Sequence, residues 1–329
     1  MRRLTTGRSL ALGIAVVFAL ASCGSSGSSS TTAGSSNGLE KTTLTVGVLP
    51  IADVAALFIA NQRGFFKAEG LTVKPEIVAN GAAAIPRLIN GTLDFALGNY
   101  FGVLSAQDKG AANMKIVADT YQAKPDIFDI VVPKDSTIQS VADLKGKRVA
   151  VAGLNTIATL AVDATLRVNG LASTDVHYVE VPFPEMPGKL FAGAVDAAFL
   201  TEPFLTGVQK NGARKIADTM TGAMADFPIA CWVTVDDFAK KNPKTVAAFQ
   251  RAIVKAEAIA DSDRKAVEAV LPTYTKIDAA TASIITLGSF PTTLNPTRIQ
   301  RVADLMLEYN YLKSKMDVQP LLVPLPAAQ

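Results

Sequence analysis

From Thr43 onward the hydrophobic positions alternate between two kinds of run: short stretches of aliphatic and β-branched residues, and longer ones with apolar residues three and four apart. The first kind predicts buried strands and the second helices, so the chain reads as an α/β protein with a largely parallel sheet. Residues 44–49 form the first expected strand, ended by Pro50. Asp53 stands where it would cap a helix through Val54, Leu57, Phe58 and Asn61, which Gly64 closes. Phe65 and Phe66 then pack one further turn, Gly70 makes a corner, and 71–77 is the next strand. Asn80 and Gly81 lead into a helix over about 82–90, and Gly91 ends it ahead of a strand at 93–97. This unit is β-α-β-α-β.

The same order returns later: a strand at 148–152, a loop at 153–155, a helix at 156–168, and a strand at 176–181. Gly170-Leu171 repeats the corner of Gly70-Leu71, and LFAGAVDAAFL parallels LINGTLDFAL, so that Gly91 pairs with Gly193 and Asp94 with Asp196. The offset is 100 residues at the corner and 102 at the Gly and Asp positions. Shared order at near-constant spacing predicts two lobes of one topology. Helical stretches over 238–262 and from Asn295-Pro296 to about 312 carry no third repeat. They are expected to return and cover the first lobe, giving two crossings, one near Val132-Pro133 and one near Ile229 to Val233. Lobe 1 is then 42–132 plus 233–329, lobe 2 is 133–232, and Trp232 sits at the hinge.

The N-terminus reads differently. Arg2, Arg3 and Arg8 precede an apolar run over 10–20, which is the pattern of a signal peptide. About 20 residues are needed to span a bilayer, and the run is shorter than that. It ends in Leu20-Ala21-Ser22-Cys23, which resembles the lipobox of bacterial lipoproteins and implies a lipid on Cys23. Residues 1–22 are thus an expected signal peptide and 23–41 a flexible Gly/Ser/Thr tether. The expected location is extracytoplasmic, anchored to the cell membrane by that lipid alone.

The 32 basic and 29 acidic residues give a formal charge of +3, and loss of residues 1–22 removes three arginines and brings it to zero. Nothing there favours nucleic acid. Of two cysteines one is assigned to the lipid, leaving Cys231 without an intramolecular partner. The single histidine, His177, lies within the alternation DVHYVEV, so neither a Ser-His-Asp or Cys-His arrangement nor a zinc site has its residues. GKR at 146–148 precedes its strand instead of following one and is no phosphate loop. No enzyme activity, cofactor or metal is expected.

Four segments together, LTVGVLPIADVAALFIANQRGFFKAEGLTV, RLINGTLDFALGN, SVADLKGKRVAVAG and GAVDAAFLTEPF, resemble the solute-binding proteins of ABC importers. The group is the one that binds nitrate, taurine and sulfonates and includes thiamine-precursor binders. The resemblance spans about 43–320. It implies a type II periplasmic-binding fold, two α/β lobes with a ligand cleft between them, acting as a monomer that delivers a small solute to a permease with its cytoplasmic ATPase. Two alternatives share this fold: a sensory solute-binding protein, and the pyrimidine synthase of thiamine formation, whose cysteine-rich motif is absent here.

In open α/β sheets ligands sit beyond the carboxyl ends of the strands, where helix N-termini offer unpaired N–H groups. The loops on that edge are 50–53, 80–82, 98–101, 153–156, 183–186 and 201–204. The candidate ligand-binding residues are Asp53, Asn80, Gly81, Asn99, Tyr100, Asn155, Thr156, Glu185, Glu202 and Phe204, with Phe101 and Phe183 as further aromatic surface. None of these loops contains Lys or Arg, while Asp53, Glu185 and Glu202 lie in them. That balance predicts a neutral, cationic or zwitterionic solute, a heterocycle or amine-bearing compound in place of a bare oxyanion.

Overall fold

The computed structural model describes residues 38–327. The signal segment, Cys23 and most of the expected tether lie outside the described residues. The tether's last residues do not hang free: Glu40 accepts the backbone N–H of Thr245 at 2.9 Å, and Lys41 pairs with Asp94 at 2.6 Å.

Two five-stranded sheets form the two lobes. The first has the order β2-β1-β3-β10-β4, with β1 Thr43–Val48, β2 Thr72–Ile77, β3 Phe95–Asn99, β4 Met114–Gln122 and β10 Pro228–Val235. The second has the order β7-β6-β8-β5-β9, with β5 Phe128–Val132, β6 Arg148–Val151, β7 His177–Glu180, β8 Ala197–Thr201 and β9 Arg214–Asp218. In each, the first three strands are parallel, and the fourth, which enters from the other lobe, is antiparallel to both neighbours. The sheets are therefore mixed, and the expected parallel pairing holds for their first three strands.

The repeat has a physical basis. Asp94 and Asp196 each accept a backbone N–H of the middle strand of their lobe's parallel set, from Thr45 of β1 at 2.9 Å and from Arg148 of β6 at 2.8 Å. Gly70 and Gly170 turn their corners at φ 79° and 78°, a left-handed conformation that a side chain makes costly.

Helices pack on both sheets: α1 Ala55–Gln62, α2 Gly81–Ile89, α3 Tyr100–Asp108, α4 Ile157–Val168, α5 Phe204–Lys210, α6 Pro243–Ser262, α7 Arg264–Tyr274 and α8 Pro296–Glu308. As expected, the C-terminal helices return to lobe 1: α6 packs on α1 and β4, and α8 on α3 and β10. The lobe's aromatic centre explains the paired phenylalanines of the sequence. Phe66 and Phe95 stack on Phe249 of α6 at 5.5 and 4.2 Å, and Trp232 meets the same ring edge-on at 6.0 Å. Phe65 instead takes the Lys255 ammonium over its face at 4.5 Å.

The crossings lie earlier than the sequence suggests. Pairing places Phe128–Val132 in the second sheet and Pro228–Val235 in the first, so the chain changes lobe over 123–127 and again over 219–227. Both FDIVV and PIACWV read as buried strands, and nothing local to either reveals which sheet receives it. Trp232 is accordingly a fully buried residue of the first sheet, not a hinge residue. The real crossings run side by side, the Ala123 N–H donating to Phe227 O at 2.8 Å, and the first is also held to β9, where the Asp126 N–H donates to Asp218 at 3.1 Å and Lys215 pairs with Asp126.

Candidate functional site

The loops after β1, β2 and β3 face those after β6 and β7 across a cleft of about 550 Å³, including its open mouth. Asp53, Asn80, Gly81, Asn99 and Thr156 line it, among walls formed by apolar side chains such as Leu97, Ile157 and Phe183. No Lys or Arg lines it among the described residues.

Three of the polar residues are helix caps. Asn80 Oδ1 accepts the N–H of Ala83 at 2.9 Å, Asn99 Oδ1 that of Gly102 at 2.8 Å, and Thr156 Oγ1 that of Ala158 at 3.2 Å. Each cap satisfies one donor of a first turn and aims a helix start at the cleft, with its partial positive charge. Asn80 also reaches across the cleft: its amide donates to Glu180 Oε1 at 3.3 Å, and the other Glu180 oxygen accepts the N–H of Leu154 at 3.3 Å.

Asp53 behaves otherwise. It lies in a 3-10 turn, Ala52–Val54, and α1 begins after it without a side-chain cap, so the expected capping role is absent. Its loop is pinned through backbone carbonyls: Thr120 Oγ1 donates to Asp53 O at 2.9 Å, and the Tyr274 hydroxyl to Ile51 O at 3.1 Å. The carboxyl is 2 % exposed, and its Oδ1 has no hydrogen-bond partner among the described residues. Burial pushes its pKa up to about 7, and burial together with the Asp53 charge raises the phenols of Tyr121 and Tyr274. A buried carboxyl without a partner bears the full cost of its lost hydration when ionised, which is the cause of its raised pKa.

Five of the ten expected contacts are not in the cleft wall. Tyr100 turns into the core and is fully buried, because Asn99 uses the strand-to-helix junction and the next side chain must face inward. Glu185 is exposed at the start of the short helix Met186–Phe191. Glu202 is buried with its carboxylate fully engaged: it accepts from Thr206 N at 3.0 Å, Thr206 Oγ1 at 2.7 Å and Thr286 N at 3.0 Å. Phe204 stands one layer back, stacked on the lining ring of Phe183 at 6.0 Å. Asn155, at φ 52°, lines a neighbouring chamber and not the cleft floor. Sequence reasoning missed Phe128 and Phe199, a stacked pair at 5.3 Å, and Ile229 and Ala230. All but Phe199 enter with the misplaced crossings; Phe199 was hidden by treating the site as loops alone.

The lobes are in contact beyond the cleft. Lys210 donates to Thr281 at 2.9 Å, and Arg167 pairs with Glu308 at 2.9 Å. Asp163 of α4 accepts the hydroxyls of Tyr178 in its own lobe and of Tyr311 from the other.

Two α/β lobes joined by paired crossings, with a cleft at the carboxyl ends of their strands, define a protein of the periplasmic-binding fold. Residues 51–264 match the model of the family described as NMT1/THI5 like, and the chain belongs to that family. It is 26% identical to the taurine-binding periplasmic protein of Escherichia coli (strain K12) over 59% of this chain and 59% of that protein, under two thirds of the relative's length. A Bacillus subtilis (strain 168) protein named for binding aliphatic sulfonates is 27% identical over 78% of this chain and 80% of its own. The structure is similar to that of the alkanesulfonate-binding protein from Xanthomonas axonopodis pv. citri bound to MOPS. The TM-score is 0.72 at 21% identity, covering 87% of this chain and 99% of that one, a likeness of fold. The resemblance to solute-binding proteins of ABC importers therefore holds. Fold alone does not separate binder from enzyme. Among the described residues that line the cleft, Asp53 is the one titratable side chain, and His177 is exposed at the amino end of β7.

Proposed function

We propose that this protein is the lipid-anchored, extracytoplasmic solute-binding component of an ABC importer, and that its solute is a small organic compound carrying a protonated nitrogen or a comparable donor. The observation that carries the solute class is the buried Asp53 carboxyl, unpartnered at Oδ1 among the described residues, in a cleft wall without Lys or Arg. A cationic group meeting it forms a charge-assisted hydrogen bond in a poorly hydrated site, where such bonds are strong. The starts of α2, α3 and α4 favour a polar or anionic group elsewhere on the same molecule. Taurine, the solute named for one relative, carries both an ammonium and a sulfonate. Nitrate-sized oxyanions offer nothing to Asp53.

The anchoring rests on the sequence: the basic and apolar leader, Cys23 at its end, and the tether. Closing of the lobes on the solute would present one composite surface to the permease. A thermal-shift screen of the body from residue 39 tests the solute class. A ligand at a hundredfold excess over its dissociation constant raises apparent stability by about 2.7 kcal/mol. Amines, amino sulfonates or protonated heterocycles are expected to do so, and shifts confined to nitrate or simple alkanesulfonates would overturn the assignment. Cys23→Ala is expected to move the protein from the membrane to the soluble fraction; continued membrane retention would contradict the anchor.

A further inference from the structure

Three acids meet where the chain passes between the lobes, and none of them lines the cleft. Asp126 lies in the first crossing, Asp129 near the start of β5, and Asp218 at the end of β9, just before the second crossing. One carboxylate oxygen of each lies within 4.8 Å of the others. The sheet forces part of this contact. In the antiparallel pairing of β5 with β9, Asp129 stands directly opposite Asp218, and like charges so placed repel. A register shift after Ile130 skips Ile216 and sets Lys215 opposite Val131, on the face that carries Asp129.

Lys215 answers only the outermost acid. Its ammonium pairs with Asp126, both side chains half-exposed, so that one cation faces three carboxylates. Asp218 is held by backbone donors, Oδ2 accepting from Asp126 N at 3.1 Å and Oδ1 from Met220 N at 2.8 Å, and each oxygen keeps a second lone pair. Asp129 is 1 % exposed, and its Oδ1 has no hydrogen-bond partner among the described residues. Burial raises its pKa, Lys215 opposes the rise, and the Asp218 and Asp126 charges add to it. Glu257 is also buried and unpartnered, but among the described residues it belongs to no such group of acids.

We propose that Asp126, Asp129 and Asp218 bind Ca²⁺, which fastens the entry of the chain into lobe 2 to its exit. The donors are all oxygens, which suit a hard cation over zinc or copper. Ca²⁺ bonds at about 2.3–2.6 Å and accepts an irregular shell, so it fits among oxygens spread over as much as 4.8 Å, with water completing the exposed Asp126 side. Lys215 has to swing away as the ion enters, and that competition sets a dissociation constant on the order of 10⁻⁴ to 10⁻³ M. The site is independent of how the cleft is read.

The test is calorimetric titration of the mature protein, freed of metal with EDTA, with the chlorides of calcium, magnesium and zinc. One Ca²⁺ per chain is expected, with a rise of a few degrees in thermal midpoint at about 10 mM. Asp129→Asn keeps the shape of the side chain without its charge and is expected to weaken Ca²⁺ by about tenfold or more. Lys215→Gln removes the competing ammonium and is expected to tighten it roughly threefold. Asp237→Asn, in an exposed ion pair with Lys241, serves as the control and is expected to change nothing. Binding lost in the first variant and strengthened in the second supports the site. Absence of binding at millimolar concentration in both the parent and Lys215→Gln overturns it: a proton on the acids then meets the need. Equal binding by the parent and Asp129→Asn, or preference for Zn²⁺ or Mg²⁺, overturns it as well.

Discussion

Asp53 and Glu202 are buried acids on opposite lobes, joined by a backbone hydrogen bond from Ala52 N to Glu202 O at 3.2 Å, yet they are built for different ends. Glu202 accepts three hydrogen bonds, two from its own lobe and one from Thr286 of the other, so its burial is compensated and its work is structural. Asp53 lies against the cleft with Oδ1 unpartnered among the described residues, so its ionised form carries an uncompensated burial cost, which protonation relieves and which, on our proposal, an arriving donor also relieves. Both carboxyls are raised in pKa by burial. A missing partner alone does not mark a site, since Glu257 is fully buried with neither carboxyl oxygen partnered among the described residues and lies outside the cleft wall; Asp53 differs from Glu202 both in its missing partner and in lining the cleft.

The largest effect expected from breaking this comparison is on binding by Asp53→Asn. Loss of a buried charged partner costs about 3 kcal/mol or more, so affinity for a cationic solute falls at least a hundredfold by calorimetry. At pH 8 the variant's thermal midpoint should not fall, since no buried charge remains to be borne. Glu202→Ala is expected to do the reverse. It strands the Thr206 and Thr286 donors and lowers stability by about 2–4 kcal/mol in denaturant unfolding, while affinity changes less than about tenfold.

Stability should also follow pH through Asp53. Its carboxyl titrates near 7 in the fold and near 3.9 unfolded. Between those values the folded state holds the extra proton, so its contribution is full below about pH 4 and is lost as pH rises through 7. Each such group contributes a slope of up to about 1.4 kcal/mol per pH unit across that window. Burial pushes Asp129 up to about 7 as well and raises Asp119, which pairs with Arg298, so Asp53→Asn reduces the slope without abolishing it. A slope unchanged by that substitution would mean the other buried acids carry it. The smallest effect is expected of Tyr100→Phe, which lies in the core: solute affinity should change less than about twofold.

The sequence made the α/β alternation, the internal repeat and five of the ten candidate cleft residues legible, because each leaves a local mark. Gly70 and Gly170 mark corners, Asp94 and Asp196 mark strand ends, and Asn80, Asn99 and Thr156 stand where a cap must precede a helix. Asp53 was found for its loop and given the wrong local role, since a cap and an unpaired carboxyl occupy the same kind of position. What stayed hidden depends on long-range pairing. Phe128 and Ile229 line the cleft because β5 and β10 each insert into a sheet begun elsewhere, and no neighbour in sequence reports that. Tyr100 and Glu185 sit in the right loops and face the wrong way, a choice made by packing and not by the loop.

The central claim is that the solute brings a positive group to an ionised Asp53. The most direct test is the affinity of an amine-bearing ligand measured from pH 5 to 8.5 in the parent protein and in Asp53→Asn. Affinity in the parent is expected to rise about tenfold per pH unit below 7 and to level above it, as the carboxyl gives up its proton, and to be weak and flat in the variant. Affinity that falls as pH rises, or that is independent of pH in both proteins, would contradict the account, because the bound group would then be accepting from a protonated Asp53 or not meeting it at all.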